Sequence, residues 1–276
     1  MTIRELTGKS SNGEALWGQV WEPKGEARGV VVLVHGLGEH IQRYQYVAEK
    51  FNAEGLVLLG FDQQGHGKSG GKRGVINSAE GLMADITQAL KLAKEQYPGL
   101  PVFLYGHSMG AVEALYYGLN GSERPAGILA TSPALDVASM SKAQRGLVGL
   151  LKNLLPELTV NNGLPIDGLS RDKASNDAYA ADPLVHPKAS VRLAAFMMDA
   201  AENIMANAAK WDLPLYLAHG SADPICPVAG SDAFAKILGD KATYKRWDGF
   251  FHETHNEPEK DAVIAAMLDW LKTQLS

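Results

Sequence analysis

The sequence predicts an α/β fold: a mostly parallel sheet flanked by helices on both faces, with an inserted helical cap. Three observations carry that expectation. Short apolar runs without polar alternation recur along the chain, as strands covered on both faces require. Amphipathic helical patterns fit between them. From about Asp136 to Ala206 the alternation stops, leaving helical patches and loops but no strand-like run. The core is therefore expected over residues 1–135 and 207–276, and the cap over 136–206.

In order along the chain, residues 2–9 and 14–22 read as an antiparallel hairpin around Ser11-Asn12-Gly13. Val30 to Val34, Leu56 to Leu59, Val102 to Tyr105, Ile128 to Ala130 and Leu213 to Ala218 read as buried strands. A helix over about 78–97 puts Leu82, Ile86, Ala89, Ala93 and Tyr97 on one stripe, with Asn77 and Glu80 at capping-box spacing. The last helix runs from about Pro258, with Ile264, Met267, Leu268, Leu271 and Leu275 facing inward. Within the cap, Leu147, Leu150, Leu151, Leu154 and Leu158 share one helical face. Packing against the core and pocket lining is the expectation for it; contact with lipid is the alternative.

Bulk properties narrow the function. The 276 residues are 46% apolar and 21% charged, as in an ordinary globular protein. A net charge of −5 without a basic stripe argues against a nucleic-acid partner. The single cysteine, Cys226, allows no internal disulfide. No run approaches the ~18 apolar residues of a spanning helix, and Met1 to Thr7 show no signal-like apolar segment. A cytoplasmic address is expected.

The chemistry centres on Gly106-His107-Ser108-Met109-Gly110. It follows a buried strand and precedes a helical stripe of Val112, Leu115, Tyr116 and Leu119. A serine at such a bend stands clear of both elements, at the sheet's carboxyl edge and a helix N-terminus, rather than simply capping the helix. A hydroxyl needs a base, and the base an acid to hold its tautomer. Both must reach the same edge. Asp223 lies just past the strand ending near Ala218, and His252 follows the strand-like segment Ala242 to Trp247. Asp136 is the rival acid and His255 the rival base; Asp248 suits a turn role. The loop His35-Gly36-Leu37-Gly38 can supply the Leu37 N–H, and the elbow the Met109 N–H, to an oxyanion. His35 is expected to brace that loop. Gly67-Lys68-Ser69 lacks the glycine and immediate helix of a phosphate loop, since Asp62 stands where the glycine belongs. His252-Glu253-Thr254-His255 lacks zinc spacing. Neither a metal nor a cofactor is expected.

With these pieces in place, the chain resembles an α/β-hydrolase of the monoacylglycerol lipase and lysophospholipase group. The likeness rests on His35 to His40 with Arg43-Tyr44, on Asp62 with Gly65 to Ser69, and on Gly106 to Gly110. Leu169 to Asp172, Tyr179 with Asp182-Pro183-Leu184, Gly220 to Asp223 and His252 complete it. The resemblance implies an eight-stranded sheet, a Ser108–Asp223–His252 triad, and an oxyanion hole from Leu37 and Met109. It further implies Arg43, His107 and Tyr179 near the glycerol end of a monoacylglycerol. Ile41 and Gln42 depart from the small residues usual there, and Met140 lies near where relatives place an acid. Broader carboxylesterase or lysophospholipase activity, or non-catalytic binding, are the alternatives. A small-molecule acyl ester is the expected partner, with transient lipid contact through the cap. Base catalysis by an unperturbed histidine would set in around pH 6.5.

Overall fold

A computed structural model describes residues 1–136 and 142–275. Eight strands form one sheet. The opening hairpin, β1 (Thr2–Lys9) and β2 (Ala15–Glu22), is antiparallel, and β2 is antiparallel to β4 (Leu56–Phe61). From β4 onward, β3 (Gly29–Val34), β5 (Val102–His107), β6 (Ile128–Thr131), β9 (Leu215–Gly220) and β10 (Ala242–Trp247) all run parallel. The order across the sheet is β1-β2-β4-β3-β5-β6-β9-β10. Strands β3, β5, β6 and β9 are buried at every residue. That is why their sequences lack alternation.

Each face of the sheet has its own apolar cluster. Helices α2 (Ala79–Gln96) and α3 (Met109–Asn120) cover one, with Leu90, Val112 and Leu115 fully buried. Helices α1 (Gln45–Ala53) and α8 (Lys260–Gln274) cover the other through Phe51, Ile264 and Met267. The cap of α2 differs from expectation: Ser78, not Asn77, accepts the Gly81 N–H, at 3.0 Å. Helix α8 starts two residues after Pro258, which lies in the turn before it.

Between β6 and β9 the chain leaves the sheet and forms the cap. It holds α4 (Lys142–Leu154), α5 (Lys173–Ala181) and α6 (Val191–Asn207), and α7 (Ala229–Leu238) follows β9. The cap also contains a two-stranded antiparallel ribbon, β7 (Thr159–Asn161) with β8 (Lys188–Ser190). This corrects the expectation of a strand-free insertion; three-residue strands are too short to show a period. Helix α6 is less a lid than a wall, since Leu193, Phe196 and Ile204 join the α3 side of the core. Met140 lies outside the described residues. No helix among the described residues is long and apolar enough to cross a membrane. The architecture is that of an α/β-hydrolase with an inserted cap.

Candidate active site

Ser108 joins β5 to α3 with φ +54° and ψ −115°, a backbone that a non-glycine residue keeps only when its surroundings enforce it. The surroundings do. A Cβ on Gly106 would lie 2.1 Å from the Gly110 carbonyl oxygen, and one on Gly110 2.1 Å from that of Val34. Strand, helix and the β3 end therefore meet without side chains, and the bend lifts the Ser108 hydroxyl clear. It does not cap α3. It donates to His252 Nε2 at 2.9 Å, and His252 Nδ1–H donates to Asp223 Oδ2 at 2.7 Å. Three loops on one sheet edge, after β5, β9 and β10, bring these groups together.

Asp223 is held from every side. Its Oδ1 accepts the Ile225 and Cys226 N–H groups at 2.8 and 2.9 Å. Its Oδ2 also accepts His219 Nε2–H at 3.1 Å, while Ser231 holds the other His219 nitrogen at 2.7 Å. Burial alone would push the carboxyl up; His252, the His219 hydrogen bond and the Cys226 N–H outweigh it and hold the pKa well below the usual range. For His252, burial works downward, but the Cys226 sulfur and the Asp223 carboxylate prevail and hold the imidazole well above its ordinary value. The His252 carbonyl is fixed in turn by the Ser132 hydroxyl at 2.6 Å. Ser132, at φ +50°, is the other non-glycine residue with left-handed backbone among the described residues.

Both nitrogens of His255 are buried without a partner, its ring stacks on Tyr44 at 4.9 Å, and burial pulls its pKa down to about 4. Asp136 packs its backbone beside Gly230 at the start of α7. Asp248 accepts the Ser221 hydroxyl at 3.0 Å, a turn role.

Leu37 and Met109 flank Ser108 in one cavity of about 340 Å³, within the range of small-ligand sites. The Met109 N–H heads α3 and has no acceptor within the helix. The loop bearing Leu37 passes over Ser108, since a Cβ on Gly36 would lie 3.4 Å from that of Ser108. His35 braces the loop, donating from Nδ1 to the Gly36 carbonyl at 2.7 Å and accepting the Gln63 N–H at 2.9 Å. Asp62 takes the Ile41 and Lys68 N–H groups at 2.9 and 2.7 Å, so the Gly67-Lys68-Ser69 turn is a strut.

His107 and Tyr179 line the cavity; Arg43 does not. Arg43 lies behind the wall between two buried carboxylates, Glu39 and a bidentate Glu253 at 2.7 Å, with its guanidinium 4.6 Å over the Tyr179 ring. Tyr44 and the Gly36 N–H also bind Glu39, at 2.7 and 2.6 Å. The cap motifs are pins of the same kind. Ser170 donates to the Asn256 carbonyl, Arg171 to Glu257 at 2.9 Å, and His40 meets Asp182 at 2.8 Å. The outward face of α4 corrects another expectation: Leu147, Leu150 and Leu154 are 56%, 61% and 66% exposed, and none lines the cavity.

Sequence reasoning missed His219, Ser132, Glu39 and Glu253. His219 had a local signal, four residues before Asp223 at a strand end; Glu253 had its adjacency to His252.

A buried-sheet scaffold with a serine at a strained strand-to-helix bend, a histidine and an acid at its carboxyl edge defines the class: α/β-hydrolases. The chain belongs to the family described as serine aminopeptidase, S33, whose model matches residues 25–259. It is 34% identical to a monoacylglycerol lipase of Mycolicibacterium smegmatis over 93% of this chain and 92% of that one. It is 35% identical, over 96% of its length, to an uncharacterized abhydrolase domain-containing protein of Dictyostelium discoideum, and spans 28% of that longer protein. The crystal structure of a Paleococcus ferrophilus monoacylglycerol lipase superposes with a TM-score of 0.84 at 32% identity, covering 99% of this chain and all of that one. The protein is an enzyme of the carboxylic ester hydrolase type, which sets aside the non-catalytic reading.

Proposed function

We propose that this enzyme hydrolyses monoacylglycerols to glycerol and free fatty acid through an acyl-enzyme on Ser108. The observation that carries the reading is the unbroken hydrogen-bond chain from Ser108 through His252 to Asp223 at the floor of a cavity walled by the cap. His252 Nε2 takes the hydroxyl proton as Ser108 Oγ attacks the ester carbonyl, and returns it to the departing glycerol oxygen. Asp223 keeps the imidazole in the right tautomer and stabilises its positive charge. The Leu37 and Met109 N–H groups receive the oxyanion, each worth about 10²–10³ in rate. Water, activated by the same histidine, then releases the acid.

The substrate class rests on the relatives named as monoacylglycerol lipases, together with the apolar lining contributed by Leu37, Met109, Leu164, Leu169 and Met197. Exposed leucines on α4 favour transient docking of the cap on a lipid surface.

The test is a chain-length series of monoacylglycerols against matching di- and triacylglycerols, lysolipids and p-nitrophenyl esters, run on wild type and Ser108→Ala. Monoacylglycerols should be preferred, and the variant should fold normally yet lose at least ~10⁴ of the rate. An intact rate in Ser108→Ala removes the mechanism. Faster turnover of lysolipids or simple esters moves the substrate to the lysophospholipase or carboxylesterase alternative.

A further inference from the structure

Helix α3 carries, one turn beyond Met109, an acid that none of this chemistry uses. Glu113 is fully buried, and neither carboxyl oxygen has a hydrogen-bond partner. Burial, reinforced by the Asp85 carboxylate and opposed only by the Gln63 amide, which approaches without completing a hydrogen bond, pushes its pKa well above the usual carboxyl range. Burial without a countercharge favours the uncharged acid, a form with one donor and spare acceptors. It lines a cavity of about 50 Å³ on the face of the sheet covered by α2 and α3. Leu82 and Ile86 form apolar walls, Asp85 connects the cavity to a surface groove, and Val34 and Gln63 close it beneath the ends of β3 and β4. One water needs only about 10–15 Å³, and buried polar groups of this kind are where ordered water binds.

Gln63 links this cavity to the oxyanion loop. Gln63 donates its backbone N–H to His35 Nε2 and its side-chain Nε2–H to the His35 carbonyl, both at 2.9 Å. His35 in turn holds Gly36, the residue before Leu37. In front, Gly110 already lies against the Val34 and His35 carbonyls, where a Cβ would come within 2.1 and 2.7 Å. Helix α3 and the loop thus touch at Gly110, and behind that contact Glu113 of α3 and Gln63, which holds the loop, line the same cavity.

We propose that Glu113 is a positioning residue for the oxyanion hole: its carboxyl and the Gln63 amide share ordered water in this cavity, tying α3, which bears the Met109 N–H, to the His35–Leu37 loop, which bears the other donor. The proposal rests on the esterase reading above and adds to it the part that fixes the spacing of the two N–H groups.

The test uses Glu113→Gln, Glu113→Leu and Gln63→Leu in the full chain. Each is assayed with p-nitrophenyl butyrate and with a short alkyl trifluoromethyl ketone, whose serine adduct places an oxyanion between both donors. Glu113→Gln keeps the hydrogen bonds to water and should stay within about twofold of wild type in kcat. Glu113→Leu and Gln63→Leu should each lose about tenfold in kcat and in ketone affinity, with KM changed by no more than about twofold. If Glu113→Leu does not fold, Glu113→Met decides, because Gln63→Leu also removes the direct bond to the His35 carbonyl. Wild-type kcat and ketone affinity in the leucine variants, or a Glu113→Gln as impaired as Glu113→Leu, overturns the proposal. Failure of the underlying reading looks different: Ser108→Ala would then retain the wild-type rate.

Discussion

The rim around Ser108 and the outer face of α4 lie at the same end of the sheet and are built in opposite ways. At the rim, Asp223 accepts four hydrogen bonds, His252 is fixed at both nitrogens and at its carbonyl, and Arg43 is clamped between two carboxylates. Helix α4 is tied to α6 by two surface ion pairs, Arg145 with Glu202 and Lys152 with Asp199, of the kind worth less than ~1 kcal/mol each. Its apolar stripe points at solvent. Over-determined polar contacts at the rim hold a strained elbow in one geometry; α4 carries few constraints and a surface in want of an apolar partner. Rigidity in this protein is concentrated where atoms must meet within tenths of an ångström.

Removing a clamp tests that contrast most severely. Arg43→Ala leaves Glu39 and Glu253 buried and facing each other without their shared cation. Losing one partner of such a network should cost about 3–5 kcal/mol of stability, read as the shift in urea midpoint at constant slope. A loss below ~1 kcal/mol would mean that the rim is no better braced than α4.

Titration probes the rim a second way. His252 must be neutral to act as base, and its pKa is held above the ordinary histidine value. The rising limb of kcat/KM for a soluble ester should therefore lie above pH 6.5, later than an unperturbed histidine would give, with about tenfold loss per pH unit below it. Stability has the opposite sign. The bound proton's contribution is fully present below the unfolded pKa near 6.5 and is lost as pH rises through the folded value. The enzyme thus gains activity and gives up that share of stability over the same window. A limb at or below pH 6.5 would show that the Cys226 sulfur and the Asp223 carboxylate do not outweigh burial at the imidazole.

Much of this was readable in the chain because burial on both faces leaves an unmistakable apolar run, as at Val30 to Val34 and Val102 to Tyr105. Ser108 and Asp223 were readable for a related reason: each sits just after such a run, while His252 follows the half-exposed edge strand β10, and parallel strands deliver their trailing loops to one edge. The braces were not. Ser132 reaches the His252 carbonyl from 120 residues away, and Arg43 reaches Glu253 from 210. No local pattern encodes partners at that separation. The ribbon of β7 and β8 was too short to carry a period. The α4 stripe failed differently: a 3.6-residue repeat reveals that an apolar face exists, yet gives the same signal whether that face looks toward the core or away from it.

That ambiguity supplies the smallest expected effect and the one that separates the two regions most cleanly. Leu147, Leu150 and Leu154 contribute little to the core if their surface already faces water, so replacing Leu150 and Leu154 with glutamine should change folding stability by no more than ~0.5 kcal/mol. Comparably apolar side chains inside the core, such as Leu115 or Met267, should cost about 2–5 kcal/mol on truncation to alanine. Hydrolysis of a water-soluble short ester by the glutamine variant should also match wild type, because neither leucine lines the cavity. Binding to phospholipid vesicles, read by co-sedimentation, is where the two leucines should count, since each side chain buried in lipid contributes roughly 1–2 kcal/mol of transfer. A variant that loses stability as a core residue would mean α4 folds inward in solution. One that keeps both its stability and its vesicle binding would leave the exposed stripe without the lipid role assigned to it.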